Sequence, residues 1–160
     1  MGDMEYKKSQ GILFDYNGVL LEQSALYDGA AELLLKLSVR YKIGLVTGAL
    51  RLHVEPLLRD ANVYQYFDVI VTAEDVQRGK PYPDGYKKGA EGLGLPANAI
   101  IAVEDTPAGV HAAKAAGLGC VAIEGSVSAD ALTEADEILA HTIDLSPEVI
   151  TRIIKSRQNV

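Results

Sequence analysis

Five short apolar runs are spread along the chain: "GILFD" (11–15), "KIGLVT" (42–47), "DVIVT" (68–72), "AIIAVED" (99–105) and "GCVAI" (119–123). None alternates apolar with polar residues, as a strand with one wet face does, so each reads as a strand covered on both faces. The stretches between them are amphipathic, and no repeat, low-complexity tract or Pro/Ser-rich linker interrupts the series. Covered strands alternating with helices are the mark of successive βα units, because parallel neighbours need long crossover connections. The expectation is an α/β fold with an open, doubly wound, mainly parallel sheet flanked by helices. With 160 residues, 48% of them apolar, the chain has material for one core and not for two.

Helix signals support this arrangement. Ala30, Leu33, Leu34 and Leu37 fall at i, i+3, i+4 and i+7, which places one apolar stripe on a helix over about 28–40. Thr106-Pro107 combines an N-cap with proline at the first helical position, and Gly117 is a suitable C-cap for the helix that follows. Ser146-Pro147 repeats that start before "PEVITRIIKSRQ". The segment 126–141 is expected to hold a short helix and a short edge strand.

Charge and cysteine usage exclude several classes. Net charge is −7, so a phosphate-rich polymer is repelled at long range and nucleic acid is not an expected partner. The single cysteine, Cys120, lies inside an apolar run and reads as a small buried residue, which leaves no intramolecular disulfide. The opening "MGDMEYKKSQ" has no apolar core of a leader, and no apolar run approaches the roughly 18 residues that span a bilayer. A cytoplasmic protein without a membrane partner is the expectation.

In an open doubly wound sheet, ligands bind beyond the carboxyl ends of the strands. Here those ends carry Asp15, Thr47 and the pair Glu104-Asp105, and Lys80 stands in the "RGKPYPD" loop after the third run. Singly, each has an ordinary reading: a turn aspartate, a β-branched strand residue, a solvated lysine, an acidic pair before a helix. Together at one sheet edge they suit phosphoryl transfer, which demands positioning and neutralisation of anionic oxygens. A carboxylate such as Asp15 can attack phosphorus. Asp15, Glu104 and Asp105 form an oxygen-rich site suited to Mg²⁺. Thr47 offers a hydroxyl, Gly48 and Ala49 offer backbone N–H groups at a helix start, and Lys80 offers a point charge.

Taken in order, "ILFDYNGVL", "GLVTGA", "GKPYPDGY" and "IAVEDTPAGVHAAKAAG" resemble the motifs of the haloacid dehalogenase-like hydrolase superfamily, most closely its phosphoglucomutase-like and phosphatase-like branch. The resemblance covers nearly the whole chain and implies a single Rossmann-like core domain over 1–160. It also implies Asp15 as nucleophile, with Asn17 lending its backbone carbonyl to Mg²⁺. Thr47 and Lys80 would hold the phosphoryl group, and Glu104 and Asp105 would lie on the metal side.

Two departures from that pattern bear on activity. The related phosphatases carry an aspartic acid where this chain has Asn17. That acid protonates the leaving group and activates water, which an amide does not do, and its loss typically slows hydrolysis about 10²–10⁴-fold. Asn17 is either natural or a substitution that arrests the reaction. The relatives also insert a helical cap after the first motif, whereas only "LLEQSALY", between about 20 and 28, fills that interval here. A capless site is open to water and loses a usual source of specificity. Its substrate would be a phosphorylated small molecule or a phosphoprotein, with a homo-oligomer as one way to cover the site. Two other function classes compete: a binding protein that retains the metal and phosphate site without turnover, and a receiver-type phosphoacceptor domain, which would need its acidic pair on the first strand rather than after the lysine. His53, His111 and His141 lack metal-ligand spacing. Arg51 and Arg78 read as solvated, and Tyr82 and Tyr86 as packing residues.

Overall fold

The computed structural model describes residues 8–159. The reading of the N-terminus as leaderless rests largely on residues 1–7, which lie outside that range.

Each of the five apolar runs forms a strand: β1 (Gly11–Phe14), then, after a short antiparallel hairpin of β2 (Leu21–Glu22) and β3 (Ala25–Leu26), β4 (Lys42–Val46), β5 (Val69–Val71), β6 (Ile100–Glu104) and β7 (Gly119–Ile123). A sixth, β8 (Glu137–Leu139), pairs at the edge. The order is β5-β4-β1-β6-β7-β8, with every neighbouring pair parallel. In the chain order of these six strands that is 3-2-1-4-5-6, the doubly wound order, whose direction reverses between β1 and β6.

Helices cover both faces: α1 (Ala30–Ser38), α2 (Arg51–Asp60), α3 (Asp84–Leu93), α4 (Pro107–Ala115) and α5 (Pro147–Gln158). The period-2 alternation of a strand divides the core into two layers. Ile12 and Phe14 of β1 pack with Leu34 of α1, Leu58 of α2 and Ile150 of α5. Leu13, between them, packs with Leu93 of α3 and Val110 of α4.

The cap signals act as expected. Thr106 Oγ1 accepts from the Gly109 N–H and Ser146 Oγ from the Val149 N–H, each ahead of proline at the helix start. Segment 126–141 holds one 3₁₀ turn, Ala129–Ala131, and the edge strand β8. Helix α1 is shorter than the 28–40 span expected from its stripe. It begins after Gly29, whose φ of 83° no helix residue adopts, and ends at Ser38. Among the described residues, no helix is long and apolar enough to cross a membrane.

Candidate active site

The runs read as strands stop one residue short of their polar ends, and the residues left over form the site. Asp15 follows β1, with its N–H still bonded to the Val103 carbonyl of β6 at 2.9 Å. Thr47 follows β4 and is tied to the Val71 carbonyl of β5 at 3.0 Å. Glu104 is the last residue of β6 and Asp105 the next. All therefore sit at the carboxyl edge, on either side of the point where strand order reverses.

Lys80 reaches this edge from the segment before α3. Its Nζ lies 2.7 Å from Asp15 Oδ1 and 2.6 Å from Glu104 Oε1, and donates to the Val46 carbonyl at 3.1 Å. Three contacts engage all three N–H donors of an ammonium group. Burial alone would lower the Lys80 pKa, but Asp15 and Glu104 outweigh it and hold the ammonium above its ordinary value.

Glu104 is fully buried. Besides Lys80, its Oε1 accepts a hydrogen bond from the hydroxyl of Tyr86, and its Oε2 one from the Asp105 N–H at 3.3 Å. Burial, with Asp15 next, pushes its carboxyl up to about 7 despite the lysine. Burial likewise raises Asp105 to about 6. Asp105 is 4% exposed, and its Oδ2 accepts from Ser126 Oγ at 2.6 Å, while its Oδ1 is buried with no hydrogen-bond partner.

Asp15, Glu104 and Asp105 present carboxylate oxygens within 4.8 Å of one another. Three acids share one ammonium, and one buried oxygen lacks a donor. A hard divalent cation meets both needs, so these residues fit a Mg²⁺-type ion.

The phosphate side is less fully built than the sequence suggests. Thr47 is buried, and its Oγ1 accepts from the Ala49 N–H at 3.0 Å. This local turn leaves the hydroxyl proton free to point outward but uses the Ala49 donor. Helix α2 begins at Arg51, so Gly48 and Ala49 lie ahead of it, and the Arg51 N–H is taken by the Glu74 carboxylate at 3.1 and 3.2 Å. Gly48 stands in open space, with nothing within 4 Å of where a Cβ would be. Asn17 is exposed at the base of the β2–β3 hairpin, where it bridges to Leu21.

Reading Tyr86 as packing alone misses its hydroxyl. The residue is fully buried, and its phenol is held well above its ordinary pKa, first by burial and then by Glu104, so it stays a donor. A tyrosine six residues after the lysine is the only sequence signal for this pairing. Ser126 is the other residue missed, since only the pairing of β6 with β7 brings it beside Asp105. The set-aside cations have structural partners: Arg51 bonds Glu55, Asp75 and the Ile70 carbonyl, Arg78 bonds Asp84, and His111 faces Glu134.

Three comparisons bear on this site. A family model described as haloacid dehalogenase-like hydrolase matches residues 3–123. Validoxylamine A 7'-phosphate phosphatase of Streptomyces hygroscopicus subsp. limoneus is 43% identical over 113 residues, 70% of this chain and 53% of the relative. Phosphoglycolate phosphatase of Escherichia coli is 35% identical over 114 residues, 69% of this chain and 45% of the relative. The chain thus spans about half the length of these curated relatives. A crystal structure of CbbY from Rhodobacter sphaeroides in complex with phosphate superposes with a TM-score of 0.69 at 30% identity, covering 76% of this chain and 56% of that one.

Proposed function

This chain belongs to the haloacid dehalogenase-like hydrolases, and from that premise we propose that it carries out Mg²⁺-dependent phosphoryl transfer or phosphate-monoester hydrolysis through an aspartyl-phosphate on Asp15. The observation that carries the reading is the convergence of Asp15, Lys80, Glu104 and Asp105 at the reversal point of the sheet.

In this reading Asp15, Glu104 and Asp105, with the backbone carbonyl of Asn17, hold Mg²⁺. When bound, the ion supplies positive charge that offsets repulsion between the Asp15 carboxylate and an anionic ester. Lys80 fixes the orientation of Asp15 and adds charge for the phosphoryl oxygens. Because its donors are engaged, a direct bond to phosphate requires it to release one of its carboxylate partners. Thr47 donates its free hydroxyl proton to a phosphoryl oxygen, and Gly48 leaves the backbone open to approach.

Attack by an Asp15 oxygen forms an O–P bond as the ester P–O bond breaks, and the leaving alkoxide takes a proton. Water then attacks phosphorus, releases phosphate and regenerates Asp15. Asn17 neither gives the first proton nor takes the second, so both steps rely on solvent. Good leaving groups are favoured, and the phosphoenzyme is slow to hydrolyse.

The substrate in this reading is a phosphorylated small molecule, as the names of both relatives suggest. The β2–β3 hairpin stands where a cap would be inserted, leaving the mouth open to a bulky phosphoester or to cover by a second copy of the chain. Asn17 motivates a second reading, a binding protein that retains the metal and phosphate site without turnover.

An aryl phosphate assay separates the two. Phosphate release that needs Mg²⁺, vanishes in Asp15→Asn and rises in Asn17→Asp supports the enzyme. Release that survives Asp15→Asn overturns it, and an inert Asn17→Asp variant with intact metal binding favours the binding role.

A further inference from the structure

A cleft of about 510 Å³ is walled by the β2–β3 hairpin, the turn after β7 and the segment following β8. That volume is within the range of small-molecule sites. None of the candidate catalytic, metal or phosphate residues lines it, and it adjoins Asp105 through two of its wall residues. Ser126, in its wall, donates to Asp105 Oδ2, and Gly18, also in its wall, lies so close that a Cβ would stand 1.9 Å from the same oxygen. The other oxygen of Asp105 is the buried one without a partner.

The charged residues of the cleft are Glu22, Asp28 and Glu124, all exposed, faced by His141 as the single basic group. No lysine or arginine lines it among the described residues. This is unusual beside a site that must receive a phosphate dianion. Positive charge for the phosphoryl group comes from Lys80 and the metal position, whereas the charged side chains of the cleft are mainly carboxylates. Carboxylates are acceptors, suited to hydroxyl and ammonium donors, and they repel a second anionic group at short range.

Resting on the phosphatase reading above, we propose that this cleft receives the alcohol portion of the substrate and selects phosphomonoesters whose alcohol is a neutral or cationic polyhydroxyl or amino compound, against those carrying a second phosphate or a carboxylate. Specificity then comes from the hairpin and the loops after β7 and β8, without an inserted domain.

The test is a titration of the Mg²⁺-loaded chain with four probes: inorganic phosphate and three phosphomonoesters of similar size, 2-aminoethyl phosphate, glycerol 1-phosphate and phosphoglycolate. Binding is read from amide NMR shifts at low ionic strength. The expected order places 2-aminoethyl phosphate and glycerol 1-phosphate about tenfold tighter than phosphoglycolate, with the gap narrowing as salt is added. A triple variant, Glu22→Gln, Asp28→Asn and Glu124→Gln, changes only exposed groups and should bring the ratio near unity, while inorganic phosphate, repelled by the same charges, binds no more weakly than to the wild type. Equal or tighter binding of phosphoglycolate, or an order that survives the triple variant, overturns the proposal while leaving the phosphatase reading intact. Failure of all four probes, inorganic phosphate included, overturns both.

Discussion

Gly109, in the first turn of α4, and Glu104, at the end of β6, are packed so closely that a Cβ on the glycine would stand 2.0 Å from Glu104 Oε2. The carboxylate has no room to retreat, because its other oxygen is held by Lys80 and Tyr86. Gly109→Ala therefore drives Glu104 out of place or shifts α4. A loss of about 1–3 kcal/mol in stability is expected, read by denaturant unfolding. Weaker Mg²⁺ binding by calorimetry should accompany it. An unchanged metal affinity would separate Glu104 from the metal site.

Tyr86→Phe removes one of the two donors on Glu104 Oε1 and leaves the packing volume nearly intact. Leaving a buried carboxylate short of a donor costs about 1–3 kcal/mol. The distinguishing readout is pH. Without the phenol the Glu104 carboxyl is pushed further up, so the deficit in Mg²⁺ affinity relative to wild type should be largest near neutral pH and narrow above it. A deficit constant with pH would mean that Tyr86 only packs.

Glu104 is raised to about 7 and Asp105 to about 6, both first by burial. Acids with raised folded pKa values favour the folded state most when protonated, so their contribution is present below the ordinary carboxylate range and is lost as pH rises through about 6–7. The metal-free protein should lose stability across that window. A cation that needs both carboxylates ionised reverses the trend, because binding releases protons. The Mg²⁺-induced rise in Tm should therefore be small at pH 5 and large at pH 8. A rise independent of pH would show that these two carboxylates are not the ligands.

Strands β1, β4, β6 and β7 were legible because burial on both faces writes itself as unbroken apolar runs, and α4 and α5 because Thr106-Pro107 and Ser146-Pro147 are local signals. Strand β5 shows the same kind of run although it is a half-buried edge strand, and the short β2–β3 hairpin carries no such signal. Helices α2 and α3 were not marked out in the same way. Pro56 lies inside α2, where only Val54 and Leu58 are buried. In α3 the glycines at 85, 89 and 92 weaken any propensity argument. They serve tertiary packing instead, since a Cβ at each would come within 3.0, 2.8 and 2.5 Å of Val46, Leu13 and Val69 on the sheet. The acids and Lys80 were legible as strand-end and loop residues on a doubly wound sheet. The contacts of Tyr86 and Ser126 were not, because they join segments related only by strand order.

Asp15 as the phosphoryl acceptor is the central claim, and Asn17 makes it directly observable. A site that forms the aspartyl-phosphate but lacks a base to activate water should accumulate it. The chain is incubated with Mg²⁺ and an aryl phosphate, quenched in acid, and digested for mass spectrometry. One added phosphoryl group on the peptide containing Asp15 is expected, absent without Mg²⁺, absent in Asp15→Asn and depleted by faster turnover in Asn17→Asp. A peptide that stays unmodified while aryl phosphate is consumed, or a phosphoryl group that persists in Asp15→Asn, would contradict the account.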